Sequence, residues 1–494
     1  MLPSLPKATP SNMRFNTQNP RIAVALIILV ALVASVLFGQ IVAGSSYKYA
    51  LVVVLAVIVF LVTMVNTDAG LAILIFSMLL SPEILVGQIP GRDVVIRAED
   101  VLLAVITFSW LAKMAINKGL AIFVKTPLNK IIGLYLFFCY VSTFRGMALG
   151  YVGLEKGFFY LLRYTEYFLL FILVANQIHS RKQIRFFLAT FFIVCAIVSV
   201  IGILQIPSGE RVTAPFEGKM GEPNTFGGYL LFILCIAIGV YLHNDSPRLK
   251  IAMLALSALI IFPFLYTLSR SSYAAMIFSF LAFIVLSKKK VVLVSVMMAL
   301  ILVGFLLKPE AVLSRVKYTF QEQQQSNLAR LGNIYLDSSS SERIFSWRES
   351  YLAWKKDPLL GRGVTGFHFL DGQYIMILVE VGILGFLAFL WLLWIILKQS
   401  LNVFRKTKDE LFKGVTLGFI TGFIGLMIHA VTANTFIIIR IMEPFWFFAA
   451  IIMMLPTLKK GEYEQEKPVG SNTSGSDTQA GPSARFGIIT RSLP

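Results

Sequence analysis

The amino-acid sequence predicts an all-α, polytopic integral membrane protein of about 12–14 transmembrane helices, and three observations carry that prediction. Hydrophobic residues fill 57% of the 494 positions and charged residues only 14%, against about 25% charged in an ordinary soluble domain. The mean hydropathy is +0.77, more apolar surface than two or three soluble domains could bury. The apolar residues are also collected into runs long enough to cross a bilayer, which takes about 20 residues each.

In chain order the candidate spans are Ile22 to Val42, Tyr49 to Val65, Ala69 to Val86, Ala98 to Ala115, Ile131 to Leu149, Phe158 to Gln177 and Phe186 to Ile206. The second half adds Thr225 to Leu242, Ile251 to Leu268, Ser272 to Ser287, Val291 to Leu307, Tyr374 to Leu397, Gly414 to Thr432 and Pro444 to Leu458. The third, fourth and last are the weakest. Residues 1–20 are polar and lack the cleavage pattern of a secretory signal, so the first span is expected to be retained. The expected organisation is a block of spans over 21–307, an outer loop over 308–372, a second block over 373–458 and a cytoplasmic tail over 459–494. From Pro468 to Pro494 that tail is rich in Ser, Gly, Thr and Pro, a composition that predicts disorder. No internal repeat is found, which speaks against a transporter built from inverted halves.

The net charge of +18 is accounted for by membrane topology rather than by nucleic acid. Alternate connections carry Lys118, Lys125 and Lys130; Arg181, Lys182 and Arg185; Arg248 and Lys250; Lys288 to Lys290; and Arg405, Lys406, Lys408 and Lys413. Lys and Arg are retained on the cytoplasmic side of short loops, and every one of these falls there if both termini are cytoplasmic. Cys139, Cys195 and Cys235 lie in apolar runs and imply no disulfide framework. There is no Walker loop, nucleophile elbow, dinucleotide fingerprint or zinc-type His and Cys spacing.

With that orientation, the long segment Lys308 to Gly372 is on the outer side. Within SERIFSWRESYLAWKK, Ile344, Trp347, Tyr351 and Trp354 recur at three and four residues and predict one face of a helix. That helix suits either the membrane surface or packing on the outer span ends. Four arginines defy the positive-inside pattern: Arg211, Arg270, Arg362 and Arg440. Each is expected to have an anionic partner, and together they are expected to converge on one, because a guanidinium fork suits a phosphate. Arg163 and Glu166, three apart on one helix, can neutralise each other. Glu380 and His429 are expected to face the bundle interior.

Over residues 163–446 the order of LLRYTEYFLLFILVANQI, RVTAPFEGKMGEPNTFGGYL, TLSRSSYAAM, ERIFSWRESYLAWKKDPLLGRGVTGF and DGQYIMILVEVGILGFLAF resembles the O-antigen ligase and Wzy-type polysaccharide polymerase family. In O-antigen ligases the last segment opens with a His and a small polar residue, with a Gly eleven residues after the His and a small residue three further. Gly382 and Gly385 fit that spacing and put Asp371 on the histidine position, with His368 three residues earlier. The departure favours the polymerase branch over the ligases.

The resemblance implies a GT-C-like membrane fold in a bacterial cytoplasmic membrane, with the active site outside. It implies a glycan on undecaprenyl diphosphate as donor, a glycan or lipid as acceptor, surrounding membrane lipids, and a chain-length regulator as a plausible partner. The leaving diphosphate gathers negative charge, which the site has to stabilise. Arg211 and Arg270 are the first candidates for that, with Arg348 and Arg440 next and Arg362, His368, Glu222 and Asn224 as further substrate contacts. Asp371 is the candidate base for the acceptor hydroxyl, and capping of the following helix is a compatible role. No cofactor and no metal are expected. The rival class is a membrane transporter, which would gather its polar groups at the bilayer midplane rather than at the outer span ends.

Overall fold

The computed structural model describes residues 47–81, 83–89, 92–116, 124–217, 221–291, 293–295, 298, 330–331, 334–335, 338–368 and 370–458. The first candidate span, the end of the eleventh, the first part of the outer loop and both tails lie outside the described residues.

The described chain is helical. Its helices are α1 (Tyr47–Val65), α2 (Thr67–Leu80), α3 (Ala98–Ile116), α4 (Asn129–Ala148), α5 (Leu154–Gln177), α6 (Arg181–Gln205), α7 (Pro223–His243), α8 (Pro247–Tyr266) and α9 (Arg270–Leu286). They continue as α10 (Ser338–Trp354), α11 (Gln373–Lys406), α12 (Glu410–His429) and α13 (Ile439–Met454). Among the described residues, eight helices are long and apolar enough to cross a membrane.

The third candidate span is shorter than its apolar run. α2 stops at Leu80, Ser81 is extended, and Pro82 has no amide hydrogen with which to continue a helix. The chain then forms an antiparallel hairpin of β1 (Glu83–Ile89) and β2 (Arg92–Arg97), with a bulge between Leu85 and Gly87. A second, two-residue pair, β3 (Arg330–Leu331) and β4 (Ile334–Tyr335), lies between α9 and α10.

Two helices form the centre: 94% of the most apolar window of both α7 and the last span is buried. α7 meets α12 backbone to backbone, because a Cβ on Gly239 would stand 2.3 Å from the Gly414 carbonyl oxygen and one on Gly418 2.5 Å from that of Cys235. Small residues permit that approach where no hydrophobic effect drives helices together. Around it, Phe445 packs on Phe232, Phe419, Phe423 and Phe436, and Trp446 on Phe168 and Phe171. Glu380 and His429 are buried as expected, with Glu380 accepting from the Thr365 amide at 2.8 Å and His429 Nδ1 2.8 Å from Thr435 Oγ1.

One end of the bundle gathers the basic connections, where Arg181 pairs with Asp409 at 3.2 Å and Asp409 caps α12. The opposite end gathers residues 206–217, 267–269, 355–372 and 430–438, which carry the candidate site.

α11 is broken. Gly382 has φ 70° and ψ −175°, a conformation essentially confined to glycine, and it divides the helix into limbs 373–381 and 383–406. The groups freed at a helix break must find partners in a membrane, and here DPLLGRGVTG supplies them. Arg362 N donates to Val379 O at 3.0 Å and Gly363 N to Glu380 O at 2.7 Å, while Ile383 N donates to Pro358 O at 2.9 Å and Leu384 N to Leu359 O at 3.3 Å. Ser142 Oγ of α4 adds a bond to Glu380 O at 2.7 Å.

Candidate active site

The site begins at the α8–α9 turn. Leu268 is held at φ 48°, and Ser269 caps α9 by accepting from the Ser272 amide at 3.2 Å. Arg270 is therefore the first residue of a helix, whose N-terminus carries partial positive charge and unpaired amides. Arg211 reaches the same turn from the α6–α7 loop: its Nε donates to Thr267 O at 3.0 Å and its Nη2 to Leu268 O at 3.3 Å. Asn224 joins them, accepting from Ser269 Oγ at 2.7 Å. Glu222 precedes α7, exposed, with its carboxylate 3.4 Å from Thr225 Oγ1. Arg211, Arg270 and Asn224, named from the sequence, are thus brought together.

Asp371 reaches this neighbourhood through the loop after α12. Asn434 accepts from the Gly372 amide at 3.2 Å and donates to Leu370 O at 2.8 Å, and the Gln373 amide donates to Ala430 O at 2.9 Å. Two residues from that stitch, Thr432 Oγ1 lies 2.7 Å from Ser271 Oγ, beside Arg270. Asp371 and Arg270 therefore border the same short loop.

The side chain of Asp371 does not cap α11. Gly372 occupies the cap, without a side-chain bond, and the carboxylate turns instead to α10. Arg343 donates to Asp371 Oδ2 from Nε at 3.1 Å and from Nη2 at 3.0 Å, and Trp347 Nε1 donates to Asp371 O at 2.7 Å. Both bonds of the fork land on one oxygen, and the side chain keeps 40% of its surface exposed. The sequence marks Trp347 only as part of an aromatic helix face, and it does not single out Arg343. Their spacing was the available signal, since residues four apart share a helix face.

Other expectations resolve differently. Arg348 is exposed, about 140° around α10 from Arg343 at 3.6 residues per turn, so it faces away from Asp371. His368 is also exposed, 3.9 Å from Glu349. Arg362 pairs with Asp357 at 3.7 Å, beside Arg145 at 2.7 Å from the same carboxylate, and lies over the rings of Tyr151 and Phe367. Arg440 is fully buried at 0% exposure and donates to Pro215 O at 2.7 Å, Leu79 O at 3.3 Å and Ser81 O at 3.4 Å, with Glu217 3.7 Å away. It supports the Arg211 loop from beneath. The four arginines therefore do not converge on one anion: Arg211 and Arg270 border one turn, Arg362 meets Asp357 and Arg440 lies beside Glu217. On the aromatic face of α10, Trp347 and Trp354 pack against the core while Tyr351 is exposed.

Glu166 lies beside Arg163, as the spacing predicts, and also beside Glu99 and Asp100 of α3.

The stretch from α8 through the first half of α11 is the one that comparison recognises. Residues 252–390 match the O-antigen ligase family. The matched O-antigen ligase segment contains Arg270, Arg343, Asp371 and the Gly382 break with its plug; Arg211 and Arg440 lie outside it. It is narrower than the stretch from Arg163 to Trp446 over which the sequence resembles that family. No curated protein matches the chain.

Proposed function

We propose that this O-antigen ligase-like protein is a glycosyltransferase that joins a glycan carried on a lipid diphosphate to an acceptor hydroxyl at the outer face of a bacterial cytoplasmic membrane. The observation that carries the reading is the meeting of Arg211 and Arg270 at the N-terminus of α9, with Asp371 across one short loop. Two guanidinium groups and a helix N-terminus suit a diphosphate.

In this reaction the acceptor oxygen attacks the anomeric carbon, the bond from that carbon to the phosphate oxygen breaks, and the lipid diphosphate leaves with the electron pair. Arg211 and Arg270 stabilise the charge it gathers. The acceptor proton passes to Asp371, whose Oδ2 is engaged by Arg343 and whose Oδ1 is the receiving atom. A diphosphate is a weak base, so its departure needs no general acid.

Asp371 on the histidine position favours polymerisation, with a chain-length regulator as a partner; the family match favours the second reading, transfer to a lipid or protein acceptor. Incubating purified protein with radiolabelled lipid-linked oligosaccharide tests both. Lengthened glycan on the carrier is the polymerase outcome and labelled acceptor the ligase outcome. Solute uptake without any new glycosidic bond would overturn the assignment in favour of a transporter.

A further inference from the structure

α10 presents two apolar sides, and only one of them is covered. Trp347, with Arg343, is committed to Asp371, and Trp354 Nε1 donates to Pro358 O at 3.0 Å. On the other side Phe345 and Leu352 are 48% and 52% exposed. Seven residues apart, they fall on one line along the helix within about 20°.

Seven residues beyond Leu352 the chain reaches Leu359, which bonds to α11. The apolar part of its second limb, from Ile383 to Leu397 before Lys398, rises about 22 Å at about 1.5 Å per residue, less than the roughly 30 Å hydrocarbon core. With Lys398 at the basic membrane surface, Gly382 and its plug fall within the opposite leaflet. Leu384, Leu387, Trp391 and Trp394 form the limb's exposed stripe, at intervals of three and four residues. Leu359, 62% exposed, extends the stripe upward, with Leu359 O accepting from the Leu384 amide. It lies five residues beyond Trp354, the end of α10. Charges flank the α10 line: Arg348 and Lys355 on one side, with Lys355 Nζ 4.8 Å from the Tyr351 ring, and Glu342 and Glu349 on the other.

We propose that α10 is seated in the outer leaflet, with Phe345 and Leu352 among the upper acyl chains and Arg348 and Lys355 beside lipid phosphates. The occupant of the exposed stripe is lipid, because the stripe is continuous with the membrane-facing side of α11 and its basic flank complements anionic headgroups. The same helix holds Asp371 from its opposite side, so the bilayer braces the element that orients the carboxylate. The seat itself does not depend on the reaction assigned above.

The test places a bimane fluorophore at Leu352→Cys in the full chain; the native Cys139, Cys195 and Cys235 are buried. The protein is reconstituted in nanodiscs containing phosphatidylglycerol, with Leu384→Cys as the lipid-facing reference. Lipids brominated high on the acyl chain are expected to quench the Leu352→Cys label at least twofold, as they quench the reference, and aqueous iodide to leave it nearly unchanged. Phe345→Cys repeats the measurement should Leu352→Cys fail to fold. Quenching by iodide without a bromine effect would overturn the proposal in favour of a water-exposed face. Protection from both quenchers would overturn it in favour of a protein partner or a second copy.

Discussion

Replacing Gly382 by Ala tests how the outer limb of α11 is held. An added Cβ would stand 2.3 Å from Leu359 O, 2.4 Å from Leu359 C and 2.5 Å from Leu360 N. All three are backbone atoms of the plug and cannot rotate away. The residue would also keep φ near 70° with ψ near −175°, at a cost of about 1–3 kcal/mol. Relieving the clash means moving the plug, whose four amide bonds to the break contribute about 0.5–1.5 kcal/mol each. Losing two of them brings the total destabilisation to about 2–6 kcal/mol. Gly133→Ala is the internal control, because a Cβ there meets nothing within 4 Å and alanine favours a helix interior by about 1 kcal/mol. Thermal unfolding of the detergent-solubilised protein, followed by size-exclusion fluorescence, should show Gly382→Ala melting well below wild type and Gly133→Ala at or above it. Equal melting of the two variants would refute the plug. A correctly melting Gly382→Ala protein with unchanged turnover would also sever the link between the break and Asp371.

Asp371→Asn should lower turnover of lipid-linked oligosaccharide by about 10²–10⁴ with little change in melting, since Gly372 rather than Asp371 caps α11; undiminished product in single-turnover assays would remove the carboxylate from the chemistry. Arg343→Gln leaves Asp371 without its fork and should reduce turnover by about 10- to 100-fold, the kinetic equivalent of a hydrogen bond to a charged group at about 1.5–3 kcal/mol, whereas Arg348→Gln, on the far side of α10, should leave turnover unchanged. Asp357→Asn removes the carboxylate shared by Arg145 and Arg362 and should lower the melting temperature; because Arg145 is partly exposed, the expected loss is a modest one of about 1 kcal/mol, the upper end for a screened pair. Arg440→Met strands three buried carbonyl bonds and Glu217, and should appear as a loss of folded protein in the membrane fraction.

The membrane class was legible because it follows from run length and from the low share of charged residues, both one-dimensional properties. The hairpin was less visible: Ile84, Leu85, Val94, Val95 and Ile96 are as apolar as a span, and β-branched residues serve strand and membrane helix alike. The pairing of Arg211 with Arg270 is tertiary, depending on where the α6–α7 loop folds back, yet both were conspicuous as cations on the side that usually excludes them. The same signal marked Arg362 and Arg440, whose partners are Asp357 and Glu217; a sequence does not say which group within the protein each cation meets. Asp371 looked like a cap because it stands two residues before a helix. Its turn toward Arg343 follows from the packing of α10 on α11, which only the assembled fold supplies.

The central claim is that Arg211 and Arg270 grip the diphosphate of a carrier lipid. Its most direct measurement is the affinity of the purified protein for undecaprenyl diphosphate, compared among wild type, Arg211→Gln, Arg270→Gln and Arg362→Gln. Each of the first two substitutions should weaken binding about tenfold or more, at about 1.5–3 kcal/mol for a charge-assisted bond, while folded Arg362→Gln binds as wild type. Unchanged affinity in both Arg211→Gln and Arg270→Gln would contradict the account.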